Sequence, residues 1–360
     1  MYMHIRPVHP SNAPTAVLPS KYTMSSAPVV RRASHAGSWY SSSKSQLDAQ
    51  LEGWLFAVKP PVSGIASQSH GQSYAELPVP EARVIIAPHA GYSYSGPAAA
   101  WAYQSWDVSK ASKRVFLLGP SHHYPLSKAA LSRCTHYATP LGNLAIDRET
   151  TSKLHESGLF EWMSQSTDED EHSLEMHLPY IFKMLSKSFG PESSALPPLV
   201  PIMIGNTSAS TERKLGRILA EHLANPDNAF VISSDFAHWG TRFRYTFYKS
   251  ASGSPTRLSS STQAPREPPI HESIKAVDFE CMGACESGSH ERWLEVLEET
   301  GNTVCGRHPI GVVMAAVEEV RKERGDESIG AFKFVQYDRS SLVHKVSDSS
   351  VSYASAFAAI

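Results

Sequence analysis

Short apolar runs recur along the chain and alternate with segments in which apolar residues repeat at helical spacing. The runs are unbroken, as in strands covered on both faces, and they lie at 83–87, 114–118, 199–204 and 229–233. Helices are predicted at 43–58, 95–106, 215–223 and from 309 onward. This order predicts an α/β fold, a single domain with a largely parallel central sheet flanked by helices. The segment 332–337 partly alternates, which predicts a strand near a sheet edge.

The predicted domain covers residues 32–360. Two segments at 59–81 and 249–269 are rich in Ser, Pro and Gly and poor in apolar residues, which favours surface insertions. We expect residues 1–31 to be a disordered N-terminal tail. Its lack of acidic residues resembles a transit peptide, but five prolines between positions 7 and 28 argue against the amphipathic helix that such a peptide needs.

Composition excludes several classes of function. The chain has 360 residues, 41% of them hydrophobic and 19% charged, so it can bury a sizeable core. A net charge of -2 gives no basic surface for nucleic acid. No apolar stretch approaches the roughly 18 residues of a membrane-spanning helix. Four scattered cysteines are too few for a disulfide framework and indicate a reducing compartment, so we expect a cytoplasmic protein.

Histidines follow three of the predicted strands. The sequences after the strands are "PHAGY" (88–92), "GPSHH" (119–123) and "SDFAHWG" (234–240). The carboxyl ends of parallel strands share one edge, where ligands bind, so His89, one of the pair His122 and His123, and His238 are expected to converge. Any one of these histidines alone is more simply a loop residue bonded to the backbone. Three in one sheet favour a shared polar site.

A fourth piece of this site is Cys305, in "NTVCGRHPIG" (302–311). Pro309 suits the first turn of a helix, so Cys305 is expected just before a helix N-terminus, where the dipole lowers a thiol pKa and favours the thiolate. Two imidazoles and a thiolate would make a three-ligand metal site with open positions. The alternative is that Cys305 is a small buried apolar residue.

Other candidate residues are weaker evidence for a functional site. In "DEDEHSLEMHLPY" (168–180), His172 and Glu175 have the spacing of one helical face, and the acids at 168–171 are expected to form an acidic first helical turn. His35 and Trp39 either wall a pocket or anchor the N-terminus. Cys281 and Cys285, four residues apart, are interpreted as core packing, because no further Cys or His completes a zinc motif.

Several long motifs resemble those of the Memo family, named for mediating cell motility. They occur in order over about 32–357 and are "ASHAGSWY", "IIAPHAGYSYSG", "LGPSHH", "DEDEHSLEMHLPY", "SSDFAHWG", "RFRY", "CGRHPIGV" and "DSSVSYA". The family is similar in fold to the class III extradiol (LigB-like) dioxygenases. The resemblance implies metal ligands at His89, His122 and Cys305, and it selects His122 over His123. It also places Asp235 and His238 in the pocket, with His238, oriented by Asp235, moving protons. The expected second-shell or pocket residues are His35, Trp39, Tyr92, His123, His172, Glu175, Arg307 and His308.

A thiolate at Cys305 departs from the two-histidine, one-carboxylate pattern of the iron dioxygenases. Soft sulfur moves the metal preference toward copper or zinc. The resemblance therefore implies copper-dependent redox activity, with iron kept open, linked to signalling proteins and cytoskeletal control in the cytoplasm and also the nucleus. Extradiol ring cleavage is not expected.

Two alternatives remain. One is a non-catalytic adaptor for phosphotyrosine peptides that uses the same crevice, with Arg242 or Arg244 receiving the anionic group. The other is a zinc-dependent hydrolase, which needs the same ligand types and no redox activity.

Overall fold

The computed structural model describes residues 27–251, 255–259 and 261–360. The strands are β1 (Val30–Arg31), β2 (Val62–Ser63), β3 (Ser73–Tyr74), β4 (Val84–Ala87), β5 (Arg114–Pro120), β6 (Ala129–Leu131), β7 (His136–Ala138), β8 (Asn143–Ala145), β9 (Phe160–Trp162), β10 (Leu199–Ile204), β11 (Asn228–Ser233), β12 (His238–Trp239), β13 (Phe247–Lys249), β14 (Pro255–Arg257), β15 (Lys333–Arg339) and β16 (Ser350–Ala358). The helices are α1 (Lys44–Ala57), α2 (Tyr92–Ser105), α3 (Arg148–Glu156), α4 (Gln165–Asp170), α5 (His172–Glu175), α6 (Leu178–Phe189), α7 (Ala209–Ala224), α8 (Ile270–Glu286), α9 (His290–Thr300) and α10 (Arg307–Arg324).

A nine-stranded sheet forms the centre of the molecule. Its order is β12-β16-β4-β11-β5-β10-β6-β9, and β15 pairs with the outer side of β16. The four middle strands, β4, β11, β5 and β10, are mutually parallel, with Val231 opposite both Ile85 and Leu117. β16 joins β4 antiparallel, and β6 joins β10 antiparallel. The predicted α/β fold with a largely parallel sheet is thus confirmed.

Helices cover both faces of the sheet because its middle strands are apolar on both sides. All four residues of β4 and all six residues of β11 are buried. One core contains residues of α1, α2 and α6, and the other contains residues of α7, α8, α9 and α10. Helices α7 and α10 approach closely at Gly216, where an added Cβ would lie 2.7 Å from the Cβ of Ala315. A side chain there would force the two helices apart.

The predicted elements agree closely with the observed ones. The run at 199–204 is β10 over its full length, and 332–337 lies in β15, which pairs only with β16 in the described sheet. β5 runs two residues beyond its prediction, to Pro120, because residues 119 and 120 continue the parallel pairing with β10. The antiparallel strand β16 was not predicted. No helix in the described ranges is both long and apolar enough to cross a bilayer.

The segments predicted to lie outside the core are partly built into the fold. Most of the predicted tail, 1–26, lies outside the described residues, but Val30–Arg31 forms β1 beside β7, and Arg31 is fully buried. The described fold therefore includes Arg31, because a buried ion pair holds its side chain in the core. The first predicted insertion contains the β2–β3 hairpin with Val62 buried. The second contains β14, which pairs with β13.

Candidate metal centre

The carboxyl ends of three parallel strands carry the candidate ligands to one edge of the sheet. His89 lies just after β4, His122 just after β5, and Asp235 just after β11. The ring centroids of His89 and His122 are 5.3 Å apart. Cys305 reaches the same point from the loop before α10, with its Sγ 3.2 Å from Nε2 of His89. The convergence predicted from the strand ends is present.

His89 is held with one ring nitrogen directed into the site. Its Nδ1 lies 2.6 Å from Oγ of Ser233, and the Ser233 hydroxyl donates to the carbonyl oxygen of Ser173 at 2.8 Å. Since that hydroxyl proton is already engaged, Ser233 accepts the hydrogen of Nδ1, and Nε2 of His89 keeps its lone pair. A lone pair on Nε2 is what a metal ligand requires.

His122 is oriented by Glu171. The carboxylate of Glu171 accepts the backbone N–H of His122 at 2.6 Å and lies 2.8 Å from its Nδ1. Burial, the largest influence, would raise the pKa of Glu171, but the hydrogen bonds from His122 and the charges of His122 and His172 together outweigh burial and lower the pKa to about 2. An ionised Glu171 accepts a hydrogen bond from Nδ1–H of His122, so the lone pair on Nε2 of His122 is also free to bind a cation.

His172 completes a group of three histidines. Its ring stacks on His122 with the centroids 4.4 Å apart, and it meets the His89 ring nearly at a right angle at 5.4 Å. The ligand atoms of the three rings all lie within 4.8 Å of one another. Burial, then the nearby His122, lowers the pKa of His172 to about 3, so its ring is neutral at pH 7. Trp39 covers it at 4.5 Å.

A second group joins His89 to Asp235 and Cys305, again with all ligand atoms within 4.8 Å of one another. The backbone N–H of Asp235 donates to Sγ of Cys305 at 3.2 Å. Burial, followed by the charge of Asp235, raises the pKa of the Cys305 thiol well above its usual value. Burial thus opposes the effect of the helix N-terminus on the Cys305 thiol, and the thiolate stays a prediction.

The sulfur of Cys305 lies at hydrogen-bond distance from the nitrogen that a metal would use. Since His89 carries its own hydrogen on Nδ1, its Nε2 accepts the S–H of Cys305. The proton between the Cys305 sulfur and the His89 nitrogen occupies the position that a bound cation would take. Binding of the cation would release that proton and leave the sulfur as a thiolate. Imidazole and thiol donors fit a transition-metal ion of borderline or soft character.

His238 faces the same cavity from β12 but is oriented differently from the prediction. Its Nδ1 donates to the carbonyl oxygen of Phe236 at 3.0 Å, and its backbone N–H donates to Thr303. A backbone carbonyl, rather than Asp235, thus fixes the ring. The cavity has a volume of about 690 Å³. Its walls include Trp39, His89, Tyr94, His122, His172, Asp235, His238, Arg242, Phe243 and Tyr353.

Most of this chain is similar in sequence to known proteins. A family model described as Memo-like protein matches residues 31–357. This chain belongs to the Memo family. Protein MEMO1 of Danio rerio is 46% identical over 331 residues, covering 92% of this chain and 98% of the relative. Protein MEMO1 of Homo sapiens is 43% identical with the same coverage. Protein memo-1 homolog of Caenorhabditis elegans is 37% identical over 343 residues, covering 94% of this chain and 86% of the relative.

The search of solved structures gives a distant match. An uncharacterized Escherichia coli K12 protein with a crystal structure has a TM-score of 0.39 and 12% identity, covering 75% of this chain and 98% of that one.

The ligand set that the Memo resemblance implies is divided in the structure. His89 belongs to both groups of donors, whereas His122 lies in the nitrogen group and Cys305 in the group with Asp235. His172, expected as a pocket residue, lies among the donors. The described residues thus bring together five potential ligands, His89 included, rather than the three that the motif positions give.

The other residues expected in the pocket lie around the candidate centre at different distances from it. Glu175 is fully buried and holds His35 through its Oε2, 2.9 Å from Nδ1. Tyr92 is buried and donates its hydroxyl to the carbonyl of Met176. His123 is exposed, with its ring 5.9 Å from that of His172.

Arg307 and His308 line a smaller cavity of about 310 Å³. His122 and Cys305 also line it. The candidate centre therefore lies between this small cavity and the larger one.

Glu171 is the main residue that sequence reasoning missed. The acids at 168–171 were expected to begin a helix, but Ser164 caps α4, Asp168 and Glu169 lie within it, and Glu171 follows its end. The run of acidic residues at 168–171 was the sequence feature that could have pointed to Glu171. It did not distinguish a charged first turn from buried partners of distant cations and histidines.

Asp278, on α8, was also missed. Its carboxylate accepts the backbone N–H of Ala237 at 3.2 Å and the amide of Asn302 at 2.8 Å. It thereby ties the loop that carries Asp235 to the loop that carries Cys305. Burial raises the pKa of Asp278, partly offset by the hydrogen bond from Asn302.

Proposed function

We propose that this Memo-family chain binds copper, with iron as the alternative, and that it supports redox activity at the centre around His89. The observation that carries the proposal is the shared Nε2 of His89. One lone pair lies within reach of a sulfur donor on one side and further imidazoles on the other. Sulfur with imidazole favours copper or zinc over the hard cations.

The chain's own residues would tune such a centre. Ser233 and Glu171 fix the tautomers of His89 and His122, so both donors are preorganised. A bound copper ion would supply one-electron chemistry. His238 keeps Nδ1 on a backbone carbonyl, which leaves Nε2 available to exchange a proton within the large cavity. Aromatic walls from Trp39 and Phe243 favour a small organic reductant there.

Elemental analysis of the natively expressed protein, followed by oxygen consumption with a reductant, tests this proposal. We expect close to one copper ion per chain, reduced strongly in Cys305→Ser and His89→Ala. His136→Ala is the matched control, because His136 lies on β7 away from the centre. Retention of zinc with no oxygen consumption would favour the hydrolase alternative. Unchanged metal content in both Cys305→Ser and His89→Ala would refute the proposal.

A specific observation also favours the adaptor alternative. Arg242 lines the large cavity beside His238. Its guanidinium lies over the Phe243 ring, 4.4 Å from the centroid. A cation next to aromatic walls suits a phosphotyrosine side chain, in keeping with the signalling and cytoskeletal roles that the Memo resemblance implies.

Peptide binding separates the two functions. In the adaptor alternative, Arg242→Ala loses phosphotyrosine-peptide binding while copper content is unchanged, and His122→Ala still binds the peptide. Binding by wild type that survives Arg242→Ala would remove Arg242 from this role.

A further inference from the structure

Tyr103 and His177 form a hydrogen-bonded pair in the core, outside the two cavities described above. Tyr103, on α2, is fully buried, and His177, immediately before α6, is 1% exposed. The phenolic oxygen of Tyr103 lies 2.9 Å from Nδ1 of His177. Neither residue lines the large or the small cavity. The candidate metal centre therefore does not account for this pair.

The count of unpaired groups gives the direction of this hydrogen bond. Burial lowers the pKa of His177 to about 3, so its ring is neutral at pH 7 and has one N–H and one lone pair. Nε2 of His177 is buried and has no partner among the described residues, and the Tyr103 hydroxyl makes no second hydrogen bond with them. If Nδ1 donated, both the phenolic hydrogen and the Nε2 lone pair would be unpaired. If Tyr103 donates, only the N–H at Nε2 is unpaired. Because burying an unpaired polar group is costly, Tyr103 donates to Nδ1.

A series of aromatic rings leads from the large cavity to this pair. The Tyr103 ring stacks on Tyr180, 3° from parallel, with the centroids 4.5 Å apart. The Tyr180 ring is 5.7 Å from Tyr92, which in turn is 5.4 Å from Tyr40. Tyr40 directly follows Trp39, which lines the large cavity and is 37% exposed. Since electrons pass between aromatic rings in near contact, the series is a path from the cavity into the core.

The acceptors of the four hydroxyl groups differ. Tyr92 and Tyr180 donate to backbone carbonyl oxygens, which are very weak bases. Tyr40 donates to Glu175, but that carboxylate already accepts hydrogen bonds from three other residues, and a proton on it would displace one of them. A tyrosine that loses an electron becomes a strong acid, and burial keeps water from taking its proton. Of the four, Tyr103 alone has a neutral imidazole to receive that proton.

We propose that Tyr103 and His177 form a redox-active pair, in which Tyr103 gives up one electron while its phenolic proton passes to Nδ1 of His177. The products are a neutral tyrosyl radical and an imidazolium. The electron travels through the rings and reduces a strong one-electron oxidant, a peroxide-derived radical, at the large cavity. A thiol that returns one electron by the same path restores the tyrosine, and His177 gives the proton back. This activity goes beyond the proposed metal binding and needs no bound metal.

Photo-oxidation of the metal-free full chain tests the pair. Illuminated tris(bipyridine)ruthenium with persulfate supplies the oxidant, and electron paramagnetic resonance of frozen samples detects the radical. Ring-deuterated tyrosine identifies the signal as tyrosyl. Tyr103→Phe removes only the hydroxyl, and His177→Gln keeps a hydrogen-bond acceptor that does not take up the proton. Tyr245→Phe is the control, because Tyr245 is also buried but donates to a backbone carbonyl outside the series.

We expect a persistent tyrosyl radical in wild type and in Tyr245→Phe, and its loss in both Tyr103→Phe and His177→Gln. Once the phenolic proton has been exchanged for deuterium, the radical in wild type should form more slowly in heavy water, because the proton and the electron move together. Thermal unfolding confirms that each variant is folded, and the isotope effect requires no variant.

Several results would overturn the inference. They are the absence of a persistent tyrosyl radical in wild type, a radical of undiminished size in Tyr103→Phe, and equal rates of formation in heavy and ordinary water. A radical that persists in His177→Gln would also do so, since the imidazole would then not be the proton acceptor. None of these measurements depends on copper content, so the proposed function is tested separately.

Discussion

Replacing Arg31 with methionine should destabilise the fold strongly. Arg31 is fully buried, with Nε 2.9 Å from Asp168 and Nη1 2.6 Å from Glu175, and both carboxylates are buried. Removing one partner from a buried ion pair costs about 3–5 kcal/mol, because the remaining charge is left without compensation. Two carboxylates would be left here, so we expect the upper part of that range.

Thermal and denaturant unfolding measure this loss. Unfolding entropy of roughly 2.1 cal/mol/K per residue over 360 residues gives about 0.8 kcal/mol per kelvin, so a loss of about 5 kcal/mol lowers Tm by about 6–7 °C. The deficit should shrink as the pH falls, since protonation removes the uncompensated charges.

Arg32 offers a matched control one residue away. It pairs with Glu169 at 2.6 Å, but its own side chain is 81% exposed. Water reaches the Arg32 guanidinium, although the Glu169 side chain is only 7% exposed, so Arg32→Met should cost clearly less than Arg31→Met. Equal, small effects of Arg31→Met and Arg32→Met would refute the view that a buried ion pair fixes the start of the domain.

Three other substitutions have defined outcomes. Glu171→Gln should weaken metal binding by about 10–100-fold in a competition titration, because His122 loses its ionised partner; unchanged affinity would contradict that role. Burial opposes ionisation of Glu175, yet its hydrogen bonds and charged neighbours lower its pKa from 4.5 to about 2. Its stabilisation is therefore present above pH 4.5 and lost between pH 4.5 and 2, by about 3 kcal/mol. Glu175→Gln should remove that part of the pH dependence of unfolding; an identical slope would count against it. Asp278→Ala leaves three donors without their acceptor and should lower the free energy of unfolding by about 3 kcal/mol or more. The control Asp326→Ala, at an exposed position, should lower it by about 1 kcal/mol or less. Similar denaturation midpoints for the two variants would show that Asp278 does not hold the two loops together.

The candidate site was only partly predictable. The strand-end positions of His89 and His122 follow from local pattern and from the rule that parallel strands end at one edge. The partner of His122 does not, because Glu171 lies 49 residues away in the chain and only folding makes them neighbours. The effect of burial on the Cys305 thiol pKa also escaped prediction, since the helix N-terminus is visible in the sequence and the surroundings of the sulfur are not.

The amino-acid sequence by itself determined the α/β architecture, the middle strands of the sheet and the family. These depend on local apolar patterns and contiguous motifs, which are written directly in the order of residues. Tertiary structure alone decided that Arg31 belongs to the core, that His172 stands beside His89, and that burial opposes ionisation of the Cys305 thiol. Each of these depends on which distant groups pack together and how much water they exclude, because charge and hydrogen bonding respond to surroundings rather than to sequence neighbours.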